Sequence, residues 1–497
     1  MATRISEDPA KSVLLLEAGP DYTEFEHWPT ELRDGTRQEA SAAGARFNWS
    51  YRATGTAEQD APMEIARGRV MGGSGAVNGQ VFLRGLPEDY DSWAQQGNDQ
   101  WSFANVLPYF RKLESDADVR DDFHGSEGPI PVVRAPLETW HPFQQAFMAA
   151  CASRGFPEDR DMNHPSSTGF GAAPMNNPAG VRMSCALAYL SAARHRLNLT
   201  IRSDVLARCV QFDGKVAVGV EVESNGEVFT VLGREIVLTA GGIASPQLLM
   251  LSGIGPASHL AELGIPLVQD LPGVGQNLRD HPIVYVDAAL NPDHATDFSG
   301  SRIQTLLRYT TAGSPLRNDM QVYVNNAASG PSPLGSGPGS DQPLLRMTCI
   351  LEQADSVGEM RLASADPLDK PVIDYRYLRS EFDCSRLREA VRLCQQVLEQ
   401  PAFAGFVEGL VSPTAGTIAS DAALDAWLKR TVFTTFHTSG ACRMGPDHDP
   451  MAVVDQYCRV RGVDNLRVVD LSICPNVVRA NTNATAIMIG ERVAEWL

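Results

Sequence analysis

Apolar residues in this chain fall into three patterns: unbroken runs, runs of alternating character, and stretches spaced by three and four. The first unbroken run, Ser12-Val-Leu-Leu-Leu-Glu-Ala-Gly19, has the character of a parallel strand covered on both faces. Spacing by three and four predicts helices over 103–115, 141–155, 384–400 and 421–434. Shorter β-type runs lie at 199–203, at 207–223 with a turn at Asp213-Gly214, at 235–240, and at 466–469 just before Asp470. The last stretch, 483–497, is helical, with Ile487, Met488, Val493 and Trp496 apolar.

Strands and helices alternate at both ends of the chain, which predicts an open α/β sheet. The middle differs. Residues 290–345 are rich in Gly, Pro, Ser and Asn, most densely at 329–340, which predicts a flexible loop or linker. Beyond it, 346–353 and 359–363 have the character of strands in a separate antiparallel sheet. No internal repeat is visible.

Composition narrows the class. The chain has 497 residues, 43% hydrophobic and 21% charged, so it is globular, with room for two or three domains around a large core. A net charge of −18 argues against a nucleic-acid or anionic-membrane partner, which would call for a basic face. No run approaches the roughly 18 apolar residues of a membrane helix, so no span is predicted. The opening residues, MATRISEDPAKS, are too polar for a secretory signal. Nine scattered cysteines, with no CxxC pair, fit free thiols in a cytoplasmic protein without a metal. The Asn-x-Ser/Thr triplets at Asn48, Asn198 and Asn483 carry no weight without a signal.

Candidate chemistry begins at Glu17. In a dinucleotide fold an acid closing the second strand binds an adenosine ribose, about 20 residues after the glycine loop that holds the pyrophosphate. Glu17 has the right strand, but only sixteen residues precede it. A solvated strand-end acid is the competing reading. Two glycine-rich segments follow. Residues 66–85 carry Gly72, Gly73, Gly75 and Gly79, which let backbone approach a flat or anionic ligand; a tight loop without a ligand is the alternative. Residues 239–256 give a strand end, a turn, a helix start at Ser245-Pro246 and a glycine stop.

Together these two segments resemble the signature segments of the glucose–methanol–choline (GMC) oxidoreductases, which are FAD-dependent flavoproteins. Further matches run in order along the chain: Leu14-Leu-Leu-Glu-Ala-Gly19, Phe123-His-Gly-Ser-Glu-Gly128, Leu271-Pro-Gly-Val-Gly-Gln-Asn-Leu278, Ser364-Ala-Asp-Pro-Leu368, Phe436-His-Thr-Ser-Gly-Ala-Cys-Arg-Met-Gly445 and Val468-Val-Asp-Leu-Ser472 through Asn481-Thr-Asn483. The resemblance implies an α/β, Rossmann-like FAD-binding domain joined to a second, α+β substrate domain on an antiparallel sheet. It puts the FAD-binding part at 1–285, with a substrate-domain insertion near 100–180. The substrate domain is then 286–454, and 455–497 returns to the FAD-binding part. Family chains open with a strand and a Gly-x-Gly-x-x-Gly turn, directly ahead of a segment like Arg4-Ile-Ser-Glu-Asp-Pro9. The present sequence begins past that turn and is expected to be N-terminally truncated. A misplaced start or truncated gene, a shortened protein that holds FAD poorly, and another way of holding the pyrophosphate stay open.

The resemblance also implies roles. His437, in Phe-His-Thr-Ser-Gly, matches the family's catalytic base, whose pKa near working pH suits removal of a hydroxyl proton while hydride passes to the flavin. Asn481 matches its partner, which holds the substrate oxygen; Asn483 is the competing candidate and is expected to cap the final helix instead. That helix is expected to aim its positive end at the reduced flavin. Val70 and Asn78, Gly79, Gln80 and Val81 are expected around the isoalloxazine and ribityl chain. Val205 is expected at the adenine, and Asp470 near the ribityl or pyrophosphate unless it caps a turn. His281 and His124 are expected to be structural and His448 to lie on the surface. Val77 occupies the place of the histidine that attaches FAD covalently in some members, so non-covalent FAD is expected. The implied activity is oxidation of a primary or secondary alcohol, with a pocket built by 290–440. The alcohol is not legible, a choline-type substrate stays open, and the electron acceptor is oxygen, a quinone or another carrier. Alternatives are a lyase or decarboxylase on the same fold, or a flavin-free remnant.

Overall fold

The computed structural model describes residues 1–294, 301–328 and 344–497. The predicted parallel strands form as two pairs. Val13–Leu16 pairs in parallel with Leu199–Arg202, and Ile236–Leu238 with Leu466–Val468. Ile236, Leu238, Leu466 and Val468 are buried, but Leu14 is 42% exposed and Val13–Leu16 borders a cavity, so the cover on both faces expected of the first run is not found. A three-stranded antiparallel sheet of Leu206–Asp213, Val216–Ser224 and Glu227–Leu232 stands beside them. The expected turn at Asp213-Gly214 is present, and the second turn uses Asn225 and Gly226, both at positive φ as a two-residue hairpin demands.

The other half is built on a larger antiparallel sheet. Its order is Val407–Ser412, Pro282–Leu290, Leu344–Leu351, Met320–Ala328, Thr305–Tyr309 and Gly169–Ala172, and Phe433–Thr434 pairs with the start of the second strand. Side chains alternate across it. Leu345, Met347 and Cys349 point to the back, where the helix Glu381–Leu398 packs Cys384, Leu387, Val391 and Cys394 at helical spacing. Ser380 caps that helix by accepting the Phe382 N–H at 3.2 Å. The front carries Ile283, Tyr285, Tyr323, Asn325, Arg346, Thr348 and Ile350, which all line one cavity.

Several expectations are corrected. Residues 290–345 are not simply a linker: Thr305–Tyr309 and Met320–Ala328 are internal strands of the large sheet. Pairing with long neighbours overrides the loop-like composition around them. The densest Gly/Pro stretch, 329–340, lies outside the described residues. The strands expected at 346–353 and 359–363 form in two different sheets, since Glu359–Arg361 joins Val372–Asp374, Tyr51–Thr54 and Met63–Ile65. The helix expected over 421–434 is Asp421–Thr431, because the β-branched run that follows straightens to pair with Pro282 and Ile283. The helix expected to start at Ser245-Pro246 starts at Gly241 and carries Pro246 inside it.

Candidate active site

His437 sits where a short segment after Phe433–Thr434 bends into the cavity. Phe436 has φ +64, a left-handed conformation uncommon for a non-glycine residue, and the ring follows directly after it. Buried Asp280 holds this bend. Its Oδ1 accepts the His437 backbone N–H at 2.7 Å and the Thr435 hydroxyl at 3.2 Å. Its Oδ2 accepts the Tyr377 hydroxyl at 2.6 Å, and the Thr434 hydroxyl. The carboxylate is thus fully used in fixing the main chain that presents the ring.

The His437 ring is bonded on both sides. Its Nδ1 lies 2.8 Å from Nδ1 of His281, and its Nε2 lies 3.5 Å from Nδ2 of Asn481. Behind His281, its Nε2 is 3.0 Å from Oε2 of Glu352, an ion-pair distance whose alignment falls short of a hydrogen bond. His281 and Glu352 are almost wholly inaccessible, at 0% and 2% exposure. Burial, then His281 and Arg67, push the His437 pKa well below its ordinary value. Burial also disfavours charge on His281, but the Glu352 carboxylate outweighs it and the His281 pKa is raised. The two rings share one proton site, and the charge belongs on the His281 side.

Asn481 approaches from the segment before the final helix. Arg479 anchors that segment, donating to buried Asp89 through its backbone N–H at 2.9 Å and its Nε at 2.7 Å. The helix runs Asn483–Ala494, and its N-cap is Thr482, with no side-chain cap bond. Asn483 is therefore the first helical residue and not the cap expected for it. Its Oδ1 lies 3.6 Å from where a Cβ on Gly75 would stand, so the helix start faces the glycine segment.

One cavity of about 1900 Å³ joins these parts, larger than the roughly 300–1,000 Å³ of a typical single-ligand pocket. His437 and Asn481 line it, and so do Glu17, Asn78, Gly79, Gln80, Val81, Val205 and Asp470. Val70 does not; it is buried beneath the glycine segment with Phe47 and Ala186, and its neighbours Met71 and Gly72 line the wall instead. Glu17 Oε1 accepts the Gly19 N–H at 2.8 Å, and burial raises its pKa to about 7 against the pull of that N–H and of Arg69. The Val205 N–H is taken by the Glu17 carbonyl at 3.0 Å. Asp470 caps its own turn through Ser472 N at 2.8 Å and accepts Gly241 N at 2.9 Å and the Ser245 hydroxyl at 2.5 Å, so the turn-capping reading describes its side chain.

Two features fit FAD. The cavity is open beside the glycines: a Cβ on Gly73 or Gly79 would meet no atom within 4 Å, and Gly72 and Gly73 hold φ of +99 and +58, which glycine adopts freely. Asn481 Oδ1 is shielded from solvent yet has no hydrogen-bond partner among the described residues, an acceptor left for a bound group. The residues that would hold the cofactor run from Glu17, past the glycine segment, to the start of the final helix. His448 is exposed, as expected; His124 is buried, 2.8 Å from Asp121. His281, expected to be structural, instead contacts the His437 ring directly, and Glu352 is the residue the sequence did not single out. The Asp-His-Pro motif around His281 carried a signal, but Glu352 is an ordinary acid at the end of an apolar run.

Residues 38–283 and 354–490 match the two family models described as GMC oxidoreductase. The oxygen-dependent choline dehydrogenase of Vibrio vulnificus (strain YJ016) is 36% identical over 519 residues, spanning 100% of this chain and 91% of that protein. Mitochondrial choline dehydrogenase of Homo sapiens is 37% identical, spanning 100% of this chain and 87% of that protein. Among solved structures, pyridoxine 4-oxidase from Mesorbium loti is similar at TM-score 0.89 and 31% identity, covering 100% of this chain and 96% of that one. This chain therefore belongs to the GMC oxidoreductases, FAD-dependent enzymes acting on CH–OH donors.

Proposed function

We propose that His437 is the base that removes the hydroxyl proton of an alcohol, and that Asn481 holds the substrate oxygen. The observation that carries this is the meeting of His437 Nε2 and the Asn481 amide, 3.5 Å apart, at the cavity wall. A ring kept neutral by burial is ready to accept a proton, and positioned proton transfer typically contributes about 10²–10⁴-fold. Bound FAD supplies the two-electron acceptor for the carbinol. Glu17 is assigned to the ribose, Asn78–Val81 to the isoalloxazine side, and Val205 to the adenine end. Asp470 acts through the Gly241 N–H and Ser245 that it holds. Val70 supports the glycine segment from below.

The domain division follows the same reading: 1–285 and 455–497 hold FAD, and 286–454 with an insertion near 100–180 builds the substrate side. Its support is that Gly169–Ala172, from the insertion, completes the sheet made by 282–434. The substrate is a neutral alcohol. Two of the relatives named above are choline dehydrogenases, but here the Arg346 guanidinium lies over the Tyr285 ring at 4.5 Å, paired with Asp287 at 2.7 Å. A quaternary ammonium brought to that ring would meet a cation already there. A cytoplasmic location is supported by nine free cysteines, including Cys349 and Cys394 with sulfurs 3.3 Å apart.

The test is anaerobic reduction of the flavin by a panel of alcohols. Neutral alcohols are expected to bleach it and choline to be poor. His437→Ala should retain flavin but lose at least about a hundredfold in reduction rate. Near-normal reduction in that variant removes His437 from the role, and absence of bleaching by any alcohol favours lyase chemistry.

A further inference from the structure

Glu352, His281 and His437 form a buried file that ends at the cavity. Each link constrains the next. A carboxylate 3.0 Å from His281 Nε2 calls for a proton on that nitrogen, since two lone pairs facing each other would repel. A neutral His281 with its proton on Nε2 has a lone pair on Nδ1. The only hydrogen bond that His437 Nδ1 can then make across the 2.8 Å gap is as donor, so its own proton sits on Nδ1. That leaves the lone pair of His437 on Nε2, the nitrogen facing Asn481 and the cavity. The opposite arrangement, with a proton on His437 Nε2, would point a donor at the Asn481 amide and would leave no base for a hydroxyl.

We propose that Glu352 and His281 are positioning residues for the oxidation: Glu352 sets the tautomer of His281, His281 sets that of His437, and the three together take up the carbinol proton. This rests on His437 being the base. In the step itself the alcohol O–H bond breaks and an N–H bond forms at His437 Nε2. The proton already on His437 Nδ1 moves to His281 Nδ1, so the positive charge comes to rest beside the Glu352 carboxylate. The two transfers leave the file with one added proton, and the carbinol C–H hydrogen would pass with its electron pair, as hydride, to the FAD that the family uses.

The charged neighbours agree with this placement of the cation. Arg67 acts on His437 and repels a proton held there. Asp280, next to His281 in the chain, spends its carboxylate on the 434–437 bend and adds negative potential at His281. Arg308 faces Glu352 from the strand Thr305–Tyr309 while donating to the Met162 carbonyl at 2.8 Å. Arg386, from the helix Glu381–Leu398, reaches the Glu352 backbone carbonyl at 3.4 Å, and its charge is matched by Asp383 at 2.8 Å and Asp319 at 3.5 Å. Of the buried acids here, Glu352 is the one whose carboxylate faces the two rings.

The pH profile of kcat/KM tests this in the FAD-loaded enzyme. Below the shared inflection His281 is cationic and donates its Nδ1 proton to His437, which forces the unproductive tautomer. Activity should therefore rise with pH through an inflection above the ordinary histidine value. Glu352→Gln keeps the shape and removes the charge. It should move the inflection to lower pH and lower the alkaline plateau by about 10–100-fold, the usual cost of losing a group that orients a reacting one. His281→Gln should act in the same direction, and the double variant should be little worse than the poorer single one. A residue that only supported the fold would leave the inflection in place. If both single variants keep the wild-type inflection while His437→Ala stays inactive, the relay is overturned and the base stands; if His437→Ala is active, the base itself is wrong. A second readout needs neither turnover nor substitution. Nitrogen-15 NMR of the histidine rings, assigned through the coupling across the Nδ1···Nδ1 bond, should show His437 protonated on Nδ1 and His281 on Nε2 on the alkaline side of the inflection. The reverse pair of tautomers overturns the proposal.

Discussion

Asp280 Oδ1 accepts the backbone N–H of His437 at 2.7 Å, so the ring is aimed through its main chain before any side-chain contact acts on it. The same carboxylate gathers hydroxyls from Tyr377, Thr434 and Thr435, which lock the left-handed Phe436 that turns the chain toward the cavity. Asp280→Asn is the sharpest probe. The Tyr377 and Thr434 hydroxyls can rotate to accept from the new amide, so the bond to His437 N can survive. The loss of charge at four donors should cost about 1–3 kcal/mol of stability. The expected result is a protein that still binds flavin, melts several degrees lower, and reduces flavin at least about tenfold more slowly, seen by calorimetry and anaerobic stopped flow. Unchanged reduction with a lowered melting point would confine Asp280 to the fold.

Much of this site could be seen in the sequence because its parts sit in local motifs. His437 lies between Phe436 and Thr438-Ser439-Gly440, Asn481 before the last helix, and the glycines in one cluster. The parallel strands were legible because each is a short unbroken apolar run, even though Val13–Leu16 turns one side to the cavity. What was not legible depends on contacts between distant segments. Glu352 and His281 are 71 residues apart in number and meet because Leu344–Leu351 pairs with Pro282–Leu290 in one register. The strands Thr305–Tyr309 and Met320–Ala328 were hidden because the Gly-, Pro- and Ser-rich stretches around them dominate the window, although their own residues suit strands. Val70 does not line the cavity while Met71 and Gly72 do, since a glycine segment with two positive φ angles turns too sharply for sequence spacing to say which side chain reaches the wall.

Glu17 gives a pH-dependent test of the ribose site. Its pKa, ordinarily 4.5, is raised to about 7, chiefly by burial. Between those values the folded protein binds a proton that the unfolded chain releases, so stability falls as pH rises through that window. Glu17→Gln removes this penalty. Thermal melts of flavin-free protein should coincide for wild type and variant near pH 4.5 and diverge by pH 8, with the variant the more stable. Flavin affinity should run the other way, since a carboxylate accepts ribose hydroxyls more strongly than an amide. A variant that binds FAD as well as wild type at pH 8 would leave Glu17 as a strand-end acid only.

Gly75→Ala separates the cofactor seat from the fold. A Cβ there would meet only Asn483 Oδ1, at an ordinary 3.6 Å, and Gly75 is not among the glycines at positive φ. The apoprotein should therefore tolerate the methyl with a melting point within about a degree of wild type, as is usual for substitutions that touch nothing critical. Flavin affinity should fall by about tenfold or more, because the methyl occupies the face between the glycine segment and the helix start. Equal affinity in a fluorescence titration would show that the cofactor does not approach that face.

Val77 predicts how the cofactor is held. It lines the cavity, 6% exposed, at the position where a covalent member of the family carries its histidine. An aliphatic side chain has no nucleophilic atom to bond the flavin methyl, and no other histidine stands in the segment 66–85. Retention must then come from burial and hydrogen bonds alone. Those are lost on unfolding, so acid precipitation should leave the yellow colour in the supernatant and a colourless pellet. Val77→His is the converse experiment. The imidazole enters a wall that now holds Val77 against Ala76 and Met71, and it must displace part of that apolar contact to reach the cavity. If the ring does reach the flavin, a fraction of the colour should move to the pellet. If the wild-type pellet is already yellow, a residue outside this segment is bonding the cofactor, and the place given to Val77 is wrong.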